Sequence, residues 1–151
     1  MVSNKTNLVS NLFTEYTDTG LITVIESVLT DYKSHKNVPL NIYSDKTLGI
    51  LEATVKYLKE NKNLTHHEIA LILNRDDRTI WATYNKALKK HKDKLAITLG
   101  ETIDPRIFSN RDQAPLKTII LHLKSKGMTI KDISTTLNRS YKNIWLTENK
   151  K

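Results

Sequence analysis

The sequence predicts an all-α protein: an N-terminal helical pair followed by two tandem three-helix units. Three observations carry that prediction. Helix breakers are scarce, with 3 Pro and 4 Gly in 151 residues. Apolar residues recur at helical spacing rather than in alternation. The chain also repeats itself: "LNRDDRTIWATYNK", starting at Leu73, returns as "LNRSYKNIWLTENK", starting at Leu137.

The repeat extends well beyond that phrase. "LTHHEIALILNR" answers "MTIKDISTTLNR", and "EATVKYLKEN" answers "KTIILHLKSK". Earlier still, Ile42, Tyr43, Ser44 and Lys46 answer Ile107, Phe108, Ser109 and Arg111. Copy two is one residue shorter, in the turn that leads to Met128. The division is therefore residues 1–37, a first unit over 38–99 and a second over 100–151.

Each unit predicts three helices. The first runs in copy one from Leu48 to Asn61, with Leu51, Val55 and Leu58 on one face. Tyr43, Ser44 and Leu48 read as a hydrophobic staple around a Ser cap. The matching face in copy two is Leu116, Ile120 and Leu123, with Pro115 in the first turn. The second helix opens on a capping box, Thr65 with Glu68 and Thr129 with Asp132. It buries Ile69, Ala70 and Leu73, matched by Ile133, Ser134 and Leu137. Asn74 and Asn138 suit the left-handed conformation that ends a helix sharply. Asp76 and Ser140 then cap the third helix, which turns Ile80, Tyr84, Ala87 and Leu88 inward.

Residues 1–37 read as two helices, about 5–17 and 20–36, broken at Gly20. Leu21, Val24, Ile25, Val28, Leu29 and Tyr32 form the apolar stripe of the second. This nearly neutral segment either packs on copy one or pairs with itself in a homodimer or higher assembly. Leu71 and Ile72, on the normally outward side of their helix, predict that something covers them.

Hydrophobic residues make up 38% and charged residues 26%, the balance of a folded soluble chain. The absence of Cys removes disulfides, thiolate metal sites and Cys nucleophiles, and suits a reducing compartment. No 18-residue apolar run and no signal-peptide pattern occurs, so a cytoplasmic protein without membrane attachment is expected, nucleoid-associated if prokaryotic or viral. The net charge of +8 is carried by the repeated part, and such a surface attracts phosphate backbones.

The run Glu68, Ile69, Ala70, Leu73, Asp76, Thr79, Ile80 resembles the helix-turn-helix of sigma-factor region four and of LuxR-type regulators. In copy two Asp132, Ile133, Leu137, Ser140 and Ile144 follow the same pattern, more loosely at Ser134 and Asn143. Arg75 and Arg139 depart from it, standing where the family has a small apolar turn residue. The resemblance covers about 40 residues of each copy and implies binding of double-stranded DNA, with the third helix as reader.

A helical wheel centred on Ile80 sets Arg78, Ala82, Asn85 and Lys89 opposite the core. Lys142, Leu146 and Asn149 take that face in copy two. Arg suits the two acceptors of guanine and Asn the donor–acceptor pair of adenine. The predicted DNA-contacting set is Arg75, Arg78, Trp81, Ala82, Asn85, Lys86, Lys89 and Lys90, with Arg139, Lys142, Trp145 and Asn149. Trp81 and Trp145 fall at the shoulder of the helix, and packing within the unit is the expected role for both. Contact with a base or a partner protein is the alternative. Tyr141, Trp145 and Leu146 make the last helix unusually apolar, so copy two is expected to be the weaker reader.

Other chemistry is not expected. His66-His67-Glu68 lacks the spacing of a metal-binding H-E-x-x-H, and no phosphate-binding Gly loop or nucleophile elbow occurs. The sequence predicts no enzyme, no cofactor and no small-molecule ligand. The competing reading is a self-assembling or architectural protein, whose helix-turn-helix surfaces join chains or coat DNA without reading it.

Overall fold

A computed structural model describes residues 18–34 and 36–150. The fold is all-α, with one two-stranded ribbon among the described residues. The described residues divide into two units, 18–34 and 36–150.

In the first unit α1 spans Asp18–Ser34, close to the predicted second N-terminal helix. Val24, Ile25 and Val28 of its predicted stripe are exposed, together with Ile22. The predicted helix over 5–17 lies outside the described residues.

The second unit holds both copies. Copy one has β1 (Val38–Pro39), a 3-10 turn (Leu40–Ser44), α2 (Ile50–Glu60), α3 (His66–Leu73) and α4 (Asp77–Lys90). Copy two has β2 (Thr102–Ile103), a 3-10 turn (Pro105–Ser109), α5 (Pro115–Ser125), α6 (Ile130–Thr136) and α7 (Tyr141–Asn149). Five matched pairs form the heart of the core. Val55, Leu58, Ile69, Leu73 and Ile80 have no solvent exposure, and neither do Ile120, Leu123, Ile133, Leu137 and Ile144. Helical periodicity puts these residues on the inner faces of α2–α4 and α5–α7, and their burial drives the helices together.

The predicted caps of the second and third helices form. Thr65 accepts from the Glu68 N–H while Glu68 reaches back to the Thr65 N–H, and Thr129 and Asp132 do the same. Asn74 and Asn138 hold φ of 51° and 49°, in the left-handed region that stops a helix. The first helix differs from expectation. Ser44 does not cap it, because its Oγ donates to the Asn41 carbonyl inside the 3-10 turn (2.7 Å). The helix starts at Ile50 instead, with the Gly49 N–H donating to Glu52 Oε2 (2.9 Å).

The two copies exchange their leading segments. The 3-10 turn of copy two packs on α3 of copy one, and that of copy one packs on α6 of copy two. Asn74 Nδ2 donates to the Ser109 carbonyl (3.3 Å), and Asn138 Nδ2 donates to the Ser44 carbonyl (3.0 Å). β1 and β2 pair antiparallel, with Val38 opposite Ile103, its own repeat counterpart. Tyr43 and Phe108, also counterparts, meet edge to face at 6.2 Å. The sequence boundary between copies is thus not a boundary in the core.

Candidate nucleic-acid interface

Each third helix is fixed by three devices before any outer side chain matters. The left-handed Asn sets the turn, an N-cap starts the helix, and an apolar residue anchors it. Asp76 accepts from the Thr79 N–H at 2.8 Å, and Ser140 Oγ from the Asn143 N–H at 3.2 Å. Ile80 and Ile144 supply the anchors. The hydrogen bonds from the Thr79 backbone, and then from its hydroxyl, hold the Asp76 carboxyl below its usual range. It therefore stays ionised at the positive end of α4.

On that scaffold Arg78, Lys86, Lys89 and Lys90 are exposed, while Ala82 and Asn85 are half-buried. In copy two Lys142, Trp145, Leu146 and Asn149 are exposed or nearly so. The two Asn residues share one conformation. Asn85 Nδ2 donates to the Trp81 carbonyl at 2.9 Å, and Asn149 Nδ2 to the Trp145 carbonyl at 2.8 Å. Each amide thus spends one N–H on its own helix and keeps its second N–H and Oδ1 for other partners.

Arg75 and Arg139 sit elsewhere than on the outer face. Arg75 Nη2 donates to the Phe108 carbonyl at 3.4 Å, and Arg139 Nη2 to the Leu48 carbonyl at 3.0 Å and the Asp45 carbonyl at 3.4 Å. Burial, and then the charge of Arg111, lowers the Arg75 guanidinium from its ordinary value. Both residues clasp the leading segment of the opposite copy. A long donor serves here because the exchanged segment offers its carbonyls at a distance.

A furrow runs between the two third helices. One part is lined by Lys46, Lys90, Arg139, Ser140 and Asn143. It shares Gly49, Ile50 and Leu116 with a second part that holds Thr83 and Lys86. That part in turn shares Ala114 with a third, lined by Lys117, Thr147 and Lys150. Six basic residues thus line these three adjoining depressions, together with the carboxylates of Glu52 and Asp112. Lys90 pairs with Glu52 at 2.8 Å. Burial raises the Glu52 carboxyl, but the Lys90 bond, the Gly49 N–H and the charges of Lys90 and Lys86 outweigh it, so it lies below its usual range. Lys46, Lys117 and Lys150 were not among the expected DNA-facing residues. Nothing in the sequence marks Lys46 for this region, because only the exchange of segments brings it to the start of α7.

The tryptophans depart from the packing role. Trp81 is 57% exposed and Trp145 47%. Trp81 lies five residues from Lys86, so the two point about 140° apart on α4. The indole therefore occupies the flank away from the furrow. Leu71 is exposed too, at 70%.

Among the described residues no cluster of His, Asp or Glu has the makings of a metal site, and no helix is long and apolar enough to cross a membrane. Comparison of the chain with protein-family models, curated proteins and solved structures finds no match.

Proposed function

We propose that this chain binds double-stranded DNA through two helix-turn-helix units, as a transcription regulator or sigma-like factor. The observation that carries the reading is the basic furrow between α4 and α7, two helices that also expose Arg78, Lys89 and Lys142. A duplex laid along such a surface meets cations that neutralise phosphates and release counterions. The exposed edge of each third helix then stands where base edges would be.

The test is binding of the full chain to labelled duplex DNA across a salt series. Affinity is expected to fall steeply with salt. Replacing Lys86 and Lys90 together by Gln should reduce the log–log slope by about 2, roughly one for each phosphate no longer neutralised. Absence of binding at low salt sinks the reading.

A second reading, self-assembly or architectural coating, draws on the exposed Trp81, Trp145, Tyr141 and Leu146. Apolar surface of this kind is commoner at protein interfaces than against DNA. Concentration-dependent association in solution that is lost in Trp81→Ala and Trp145→Ala would favour it.

A further inference from the structure

We infer that the duplex taken by this chain is an inverted pair of unequal half-sites, one met by α4 and the other by α7. The inference rests on the DNA-binding reading above and adds the symmetry of the site.

The symmetry comes from how the copies are joined. Tandem repeats strung head to tail use two different surfaces at their junction, whereas a two-fold arrangement uses the same surface twice. Here the same surface is used twice. Asn74 reaches Ser109 while its counterpart Asn138 reaches Ser44, the counterpart of Ser109. Val38 pairs with its own counterpart Ile103 in an antiparallel ladder, which places a local two-fold axis at that pair. Tyr43 and Phe108 meet in the same self-matching way. The reciprocal Asn contacts and the antiparallel ladder involve different elements, and both require an approximate two-fold rather than a translation; the Tyr43–Phe108 contact fits the same relation.

α4 and α7 are therefore related as the reading helices of a symmetric dimer are, within one chain. B-form DNA has two-folds perpendicular to its axis. Two surfaces related by a two-fold meet the strands in opposite directions, so the preferred site is an inverted repeat rather than a direct one. The halves are unequal because the outer residues differ. Arg78 is replaced by Lys142 and Ala82 by Leu146. An Arg fork engages both acceptors of guanine, whereas Lys acts as a point charge.

The test starts by selecting bound duplexes from a random pool with the full chain. The recovered element is then rebuilt as an inverted pair, a direct pair and a single half. The inverted pair should bind tighter than the direct pair by about tenfold or more, as both helices engage together. Arg78→Ala should relax base preference in one half and leave the other unchanged. Equal or tighter binding of the direct pair overturns the inference while leaving DNA binding intact. Failure to bind any duplex at low salt removes the DNA-binding reading itself, and the inference with it.

Discussion

Asn74 donates its side-chain amide to the backbone carbonyl of Ser109, on a segment that belongs by sequence to the other copy. Its counterpart Asn138 does the same to Ser44. One residue type performs two tasks at each site: it adopts the left-handed φ that ends the second helix, and it fastens the exchanged segment. Substitution separates the tasks. Asn138→Gly keeps the backbone free to adopt φ near 49° and loses only the clasp. It should cost about 1 kcal/mol. Asn138→Ala loses both and should cost about 1–2 kcal/mol more. Urea unfolding of both variants measures the difference; equal costs would mean that the turn carries no strain for a Cβ.

Tyr43 and Thr54 illustrate how the copies solve one packing problem in two ways. Their hydroxyls share a buried hydrogen bond of 3.0 Å. The matched positions in copy two are Phe108 and Ile119, where both hydroxyls are absent. Burial pushes the Tyr43 phenol well above its ordinary value. Thr54→Val alone leaves that phenol without its partner and should cost about 1–3 kcal/mol. The pair Tyr43→Phe with Thr54→Ile, which copies the other unit, should be less costly than Thr54→Val alone. A double variant that is clearly worse would show that the copies are not interchangeable at this position.

Local features of the fold were readable in the sequence because they depend on nearest neighbours. Capping boxes, left-handed Asn stops and the inward Ile, Leu and Val positions follow from spacing alone. The segment exchange was not readable. Its signature, the match of Tyr43-Ser44 with Phe108-Ser109, is also what two separate domains would show. The hold of Arg75 and Arg139 on the exchanged segments was hidden for the same reason, since on a lone unit a turn arginine points to solvent. Lys56 is a further case. It has no solvent exposure and pairs with Glu60 at 2.7 Å, while Tyr84 donates to the same carboxylate at 3.1 Å. A mid-helix Lys reads as outward until such a partner set is known. The candidate site was half legible: the basic third helices were visible, but the furrow joining them depends on the two-fold.

Acid sensitivity should concentrate at the helix starts. Glu68 is held below the usual carboxyl range by the Thr65 N–H and then its hydroxyl, Asp76 by the Thr79 N–H, and Asp132 by the Thr129 hydroxyl. A carboxyl lowered in the folded state stabilises fully above its unfolded value of about 4 and loses that contribution as pH falls through the folded value. Stability should therefore hold from neutrality to about pH 4–5 and decline below. Glu68→Gln keeps an acceptor but does not titrate. Its stability deficit at pH 7 should shrink as the pH approaches 2; a deficit that stays constant over that range would exclude the assignment.

Ile80 and Trp81 are neighbours on α4 with opposite environments, one fully buried and the other 57% exposed. Ile80→Ala removes methyl groups from the centre of copy one and should cost about 2–5 kcal/mol. Trp81→Ala should cost less, about 1 kcal/mol, because more than half of the side chain is exposed. Both indoles should emit as solvated chromophores and be quenched readily by acrylamide in the free protein. A duplex held only by Lys86 and Lys90 should protect Trp81 little, whereas one read by Arg78, about 60° from Trp81 on α4, should protect it in part. Self-association through the indoles would protect them strongly as protein concentration rises. Quenching measured against duplex and against protein concentration thus separates the two functional readings at the residue where they differ most.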